Sequence, residues 1–173
     1  MYPWYDIIDK DTPLEQGDFI TTCPIIVPPK TELSLSGDIN VEVNEYDVVV
    51  MSQSCDLSAR KINLVLVCPM WSLKDFEETN PEYKSKGAKE NLRQGIPFGL
   101  HLLNKCEISP FEQDFSVVDF RSIYSVDLEY IEYLAKQTDK RLRLLPPYRE
   151  HLSQAFSRFF MRVDLPVDIP SFK

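Results

Sequence analysis

The chain has 173 residues, 43% of them hydrophobic and 27% charged, with a formal net charge of −8. That length suits one domain, and the apolar content is enough for a real core. No apolar run approaches the roughly 18–20 residues that cross a bilayer, and MYPWYDIIDKD has neither a basic start nor an unbroken apolar stretch, so a cytoplasmic protein with no signal peptide and no membrane partner is expected.

In chain order, Met1-Tyr2-Pro3-Trp4-Tyr5 is an aromatic arm expected to pack over the edge of the fold. LEQGDFITTCPIIVPP predicts a turn at Gln16-Gly17-Asp18. A strand carrying Phe19, Ile20, Ile25, Ile26 and Val27 follows, and Pro28-Pro29 ends it. In ELSLSGDINVEVNEY the apolar residues Leu33, Leu35, Ile39, Val41 and Val43 fall on odd positions, the period of a half-exposed strand, which predicts a solvent-facing hairpin over residues 30–46. DVVVMSQ and INLVLVCPM are short, β-branched apolar runs. They predict two buried strands forming an antiparallel pair, joined by the loop SCDLSARK, with Pro69 closing the second.

WSLKDFEETNPEYKSKGAKENLRQG is charged and helix-prone, an excursion over about residues 72–94, after which GLHLLNKCEI and FSVVDFRSIYSVD return to strand character. Beyond Asp127, a candidate N-cap, the spacing of Leu128, Ile131 and Leu134 predicts a helix. The clearest helix begins at PPYREHLSQAFSRFFMRV, with Pro147 in its first turn. Tyr148, Leu152, Ala155, Phe156, Phe159 and Val163 lie on one face and Arg149, Arg158 and Arg162 off it; Pro166 and Pro170 hold the tail extended. The expected organisation is a sheet domain over 1–127 with a helical insertion, and a helical segment over 128–173 packed on it.

Charge is unevenly spread. Residues 1–60 carry eleven acidic against three basic side chains, and residues 136–162 seven basic against two acidic. An acidic body repels a polyanion, which disfavours RNA. The basic segment either docks on the acidic region, faces water, or offers a local patch. The four cysteines, Cys23, Cys55, Cys68 and Cys106, are widely spaced with no CxxC pair, which predicts buried reduced thiols, with no disulfide framework, no metal site and no cofactor.

The order of elements predicts an α+β fold built on a small antiparallel β-barrel with attached helices. GDFITTCP, DVVVMSQSCDLSARKINLVLVCPMWS and DFSVVDFRSIYSVDLEYIEYLAK resemble, in order, the early strand, the central strand pair and the late strand-plus-helix of PemK/MazF-type toxins, which have an SH3-like barrel. The resemblance implies a bacterial toxin–antitoxin or phage-defence setting. It also implies metal-independent RNA cleavage, in which a 2′-hydroxyl attacks the neighbouring phosphate and a base and a cation assist. The matching positions are Asp119 and Arg121 in VVDFRS. The approach to the central strand, Asn44-Glu45-Tyr46-Asp47, lacks the family's arginine, and Pro69-Met70-Trp71 lacks its threonine, with Ser72 one step away. PPYREHLSQAFSRFFMRVDLP is similar to a stretch of uncharacterised bacterial proteins, which implies no activity.

Three functions are carried forward. The first is a non-catalytic binding or interaction module, with Ser52, Gln53, Ser54 and Asp56 lining a shallow pocket beside Trp71, Asp119 and Arg121. Its counterpart is a hydrogen-bonded corner that holds two strands in register. The second is the toxin-type ribonuclease, using Asp119 and Arg121 with help from Ser72 or Ser54. The third is a thiol enzyme at Cys55, against which Asp56 disfavours a thiolate; the structural alternative is a turn with Cys55 tucked into the core. His101 reads as a core histidine. The aromatic face of the last helix reads as core, or as a surface for a protein partner or a homodimer.

Overall fold

The computed structural model describes residues 2–27 and 41–161. Among them the fold is α+β. Its strands are β1 Tyr5–Asp9, β2 Phe19–Val27, β3 Glu42–Val50, β4 Leu64–Ser72, β5 Leu100–Leu103, β6 Ser116–Asp119, β7 Tyr124–Asp127 and β8 Lys140–Leu144. The helices are α1 Ser54–Ser58, α2 Leu73–Thr79, α3 Lys86–Arg93, α4 Leu128–Gln137 and α5 Tyr148–Phe160, with a 3-10 turn at Pro81–Lys84 between α2 and α3. All pairings are antiparallel. One sheet runs β2-β3-β4-β6-β5 with β7 also on β4, and β1 and β8 form a separate ribbon.

Period two explains why the central strands read as continuous apolar runs. On β3, Val48 and Val50 point into one core cluster and Val49 into another; on β4, Val65 and Val67 join the first and Cys68 the second. Where β3 ends and β4 passes beside it both faces of the sheet are covered, one by α4 and the other by the β1–β8 ribbon and α5, while Leu64 and Leu66 at the start of β4 stay exposed. A third, smaller cluster around Phe76, Leu92, Leu100 and Val117 anchors the helical excursion.

The expected closed barrel is not found among the described residues. No ladder joins β5 to the ribbon; the two are linked by the Tyr5 hydroxyl, which donates to Asn104 O at 2.6 Å. A single bridge, Asp18 to Arg143, joins β8 to the start of β2. The layered cover takes the place of closure.

Pro69 does not end its strand. Met51 N–H donates to Leu66 O, and Leu66 N–H donates to Ser52 Oγ on the same side, so the even-numbered amides of β4 face β3. Pro69, with no N–H, therefore faces the opposite edge. There β6 pairs with Met70–Ser72 and β7 with Leu64–Val67, so the ladder is broken beside the proline. The residues between β6 and β7 loop out at that break, which places Asp119 and Arg121 at the interruption.

SCDLSARK, expected as a loop, contains α1. The segment after residue 127 carries the strand β8 as well as two helices. Of the aromatic arm, Trp4 and Tyr5 pack, Trp4 stacking on Tyr148 with ring centroids 3.6 Å apart and Tyr5 opening β1, while Tyr2 is exposed. Asp127 caps α4 by accepting from the amides of Glu129 and Tyr130. On α5, Leu152 is fully buried, and Tyr148, Ala155, Phe156 and Phe159 pack around it in the core, leaving Phe160 and Met161 exposed. The Pro28-Pro29 stop of the first strand, residues 30–40 of the expected hairpin, and the tail from Arg162 with Val163, Pro166 and Pro170 lie outside the described residues.

Candidate functional site

The predicted polar cluster at the end of β3 is a corner held by hydrogen bonds. Ser52 is buried and its Oγ accepts from Leu66 N at 2.8 Å. Ser54 Oγ accepts from Gln16 N at 3.1 Å, and Gln16 Nε2 donates to Met51 O at 2.8 Å. These bonds pin the β1–β2 connection and β4 to one point. Gln53 is exposed, and its Nε2 donates to Ser153 Oγ on α5 at 3.3 Å.

Cys55 is exposed, contrary to the expectation that it tucks into the core, because the short helix turns Leu57 inward instead. Its Sγ lies 3.9 Å from Asp56 Oδ1, and Asp56 faces Lys61 Nζ at 3.8 Å. Cys23, Cys68 and Cys106 are free and buried; burial pushes the Cys23 thiol up to about 11 and the Cys68 thiol up to about 12. Among the described residues no group of three or more His, Cys, Asp or Glu side chains is placed to hold a metal.

Asp119 and Arg121 meet each other. The guanidinium donates from Nε to Oδ1 and from Nη2 to Oδ2, each at 2.8 Å, and the Arg121 amide adds a third bond. The fork is a closed bidentate pair. Ser72 caps α2: its Oγ accepts from Asp75 N and donates to the Asp75 carboxylate at 2.7 Å. Trp71 and Ser72 line a groove of about 350 Å³ that also holds Glu45, Asp47, Asp75 and Asp114. That groove is strongly acidic and contains neither Asp119, Arg121 nor the corner residues.

Two buried arginines account for part of the basic C-terminal segment. Arg141 and Arg143, on β8, both bond the fully buried carboxylate of Asp18. Arg141 also donates to the carbonyls of Asp9, Thr12 and Pro13, and Arg143 to Pro13 O and the Glu15 carboxylate. The basic segment thus docks on the acidic N-terminal third chiefly through a strand, with Arg149 of α5 adding an ion pair to Glu15 at 3.5 Å.

The cleft that combines charge and room lies elsewhere, between α5 and the loop that follows α3. It has a volume of about 590 Å³, within the range of small-molecule sites. One wall is α5, which presents His151, Gln154 and Arg158. The other is the turn from Arg93 to Gly99, with Ile96 and Phe98 on it; His101 and Phe120 line the cleft from the sheet. Gly95 and Gly99 give this turn its shape, with φ of +69° and +86°. A Cβ on Gly99 would sit 2.9 Å from Arg121 Cγ and 3.0 Å from a Phe159 ring carbon, so the close approach of the turn to α5 requires glycine there.

The electrostatics of this cleft set it apart. Both histidines of the chain line it, with Arg93 and Arg158, and none of the described lining residues is Asp or Glu. Burial, with a further push from His151, lowers the His101 imidazole to about 4, so it is neutral at pH 7. Arg93 is paired with Glu90, Nη2 to Oε1 at 2.6 Å, while Arg158 makes no ion pair among the described residues.

Sequence reasoning singled out His101 and the off-stripe Arg158 separately but did not join them. The signal was the helical spacing 151, 154, 158, which puts those side chains on one face beside the apolar stripe. Comparisons with protein-family models, with curated proteins and with solved structures find no match.

Proposed function

We propose that the protein is a binding module whose ligand is an anion held in the cleft between α5 and the Arg93–Gly99 turn. The observation that carries this reading is the inversion of charge. A chain with net charge −8 gathers two arginines and both of its histidines around one cavity whose described lining residues include no acid. Arg93 is held by Glu90 just outside the lining and His101 is neutral, so Arg158 is the cation on which the site rests. Partly enclosed charge of one sign focuses the field on a ligand of the other, and a guanidinium held there forms charge-assisted hydrogen bonds with it.

The ribonuclease alternative draws no support from Asp119, Arg121 and Ser72, whose charge and hydroxyl are taken up by each other and by a helix cap. The thiol-enzyme alternative draws none from Cys55, which faces a carboxylate. A PemK/MazF-like relationship is kept as part of this proposal on the sequence motifs alone, which fall on β2, β3, β4 and β6, strands that do not close into a barrel among the described residues. A protein partner or a second copy remains part of the proposal at the exposed Phe160 and Met161.

Calorimetric titration with pyrophosphate and with citrate tests the anion site. The expected result is saturable binding that weakens with salt. Arg158→Ala should weaken it about tenfold, the worth of one charge-assisted hydrogen bond. No binding, or binding that Arg158→Ala leaves unchanged, overturns the reading.

A further inference from the structure

Independently of the anion cleft, we infer that the acidic groove beside β3 and the apolar cavity adjoining it hold a peptide segment of a partner protein. That segment places a Lys or Arg side chain at the acidic end and an apolar side chain at the other. The two cavities, of about 350 and 260 Å³, share Thr22, Asp47, Met70 and Gln113 and so meet along those residues. A β-bulge shapes the junction: β2 is irregular between Ile20 and Cys23, and Thr22 has φ of +50°. The Thr22 amide donates to Asp47 Oδ1 at 2.9 Å, which fixes that carboxylate where the cavities meet.

Three features of the groove each ask for a different group. At one end Glu45, Asp47, Asp75 and Asp114 line it, and none of the described lining residues is Lys or Arg. Glu45 and Asp47 stand at i and i+2 on β3, so they share a face of the strand. Asp114 is paired with Lys105 at 3.0 Å, but Glu45, Asp47 and Asp75 make no ion pair among the described residues. Several uncompensated carboxylates around one recess focus a field that favours a cation. The other end is lined by Phe19, Ile20, Phe111, Leu134 and Leu142 and takes an apolar group.

Between the ends stands Gln113, which lines both cavities. Its backbone is held by a pair of hydrogen bonds with Cys106. Its Nε2 is buried and has no acceptor, the one buried side-chain nitrogen or oxygen among the described residues without a partner. An unmade hydrogen bond of that kind costs free energy that an incoming acceptor restores.

A free polyamine meets the carboxylates but offers Gln113 no acceptor. An apolar small molecule fills the second cavity and leaves the carboxylates unanswered. A bare divalent cation finds no group of three ligating side chains among the described residues. A peptide brings a basic side chain, a backbone carbonyl for Gln113 Nε2 and an apolar side chain within a few residues of one another.

Fluorescence anisotropy on the full chain tests this with two fluorescein-labelled peptides, Gly-Leu-Leu-Gly-Lys-Arg-Gly and the same residues in reverse order, since the groove fits either chain direction. One of them should bind saturably. Replacing its Lys and Arg by Gln should weaken binding about tenfold, as the loss of charge-assisted contacts implies. Replacing its two Leu by Ser should weaken it about tenfold through lost apolar burial. Glu45→Gln should cost about threefold, the worth of one exposed ion pair. Asp6→Asn, which removes the same charge from the exposed face of β1, should cost nothing. Gln113→Met keeps the shape and deletes the donor. It should weaken the peptide about fivefold and raise the melting temperature of the free protein, a combination that misfolding does not give.

If neither peptide binds, or if Glu45→Gln and Asp6→Asn weaken binding equally, the groove is not the site and the inference falls. Spermidine competing as well as the unlabelled peptide would make the ligand a free amine and overturn the peptide. So would a Leu-to-Ser peptide that binds unchanged, and a lower melting temperature in Gln113→Met would make that side chain structural. Light scattering that finds a dimer which the peptide dissociates would overturn the foreign partner in favour of a second copy of this chain.

Discussion

The buried cluster of Asp18, Arg141 and Arg143 shows how one carboxylate can organise a molecule. Two guanidiniums share it, and their remaining donors reach the backbone carbonyls of the β1–β2 connection. Removing one partner of a buried ion cluster leaves the others desolvated and unmatched, which costs about 3–5 kcal/mol. Asp18→Asn keeps the shape and removes the charge, so it is expected to lower the stability measured by urea unfolding by that amount; a loss below about 1 kcal/mol would show that the nearby carbonyls suffice. His101 sets a pH dependence of opposite origin. Its imidazole titrates near 4 when folded and near 6.5 when unfolded, so between those values the unfolded chain binds the extra proton. Stability is therefore complete above about pH 6.5 and falls as pH drops towards 4, by up to about 3 kcal/mol from this one group. Urea midpoints measured across that window should slope upward with pH, and His101→Gln should flatten the slope. An unchanged slope in the variant assigns it to other groups.

Elements here are decided by their ends as much as by their middles. Asp127 accepts from two amides at the start of α4, and Ser72 and Asp75 bond reciprocally at the start of α2. Asp127→Ala and Ser72→Ala should each cost about 1 kcal/mol, the usual worth of an N-cap. For Ser72 this is the whole expected effect, so pyrophosphate affinity in the α5 cleft should stay unchanged in the same variant. The Asp127 cap was legible in the sequence because the apolar period changes right after it, and the end of β3 and the strand β4 were legible as β-branched apolar runs; the exposed first half of β3, from Glu42, was expected instead as part of a separate hairpin. The strand β8 was not. In KRLRL the arginines alternate with leucines, as on a strand with one wet face, yet Arg141 and Arg143 are buried on a carboxylate more than a hundred residues away. Its partner β1 is equally remote, and a five-residue pairing between chain ends leaves no local periodicity to read. The five residues of α1 are too few for a helical period to show. The cleft was hidden for a related reason: it joins the off-stripe face of one helix to a turn about fifty residues earlier, and neither half is a motif alone.

At the scale of the whole molecule, β1 near the start of the chain pairs with β8 near the end, and the ribbon they form shares a core cluster with the central sheet. A ribbon of two strands is marginal alone, so its order depends on that shared core. It follows that ribbon and sheet should unfold together. The chain carries two tryptophans that report on the two parts. Trp4 precedes β1 and stacks on Tyr148 of α5, whereas Trp71 lies on β4 against Tyr46, ring centroids 5.7 Å apart. In Trp71→Phe the remaining fluorescence follows the ribbon end, and in Trp4→Phe it follows the sheet. Within each variant, the urea transition seen by fluorescence should coincide with that seen by far-ultraviolet circular dichroism, as all-or-none unfolding requires. A Trp4 transition that precedes the circular-dichroism transition would make the ribbon and α5 a separate, weaker unit. It would also place the α5 wall of the cleft on that unit, so ligand binding would then protect the Trp4 transition more than the Trp71 one.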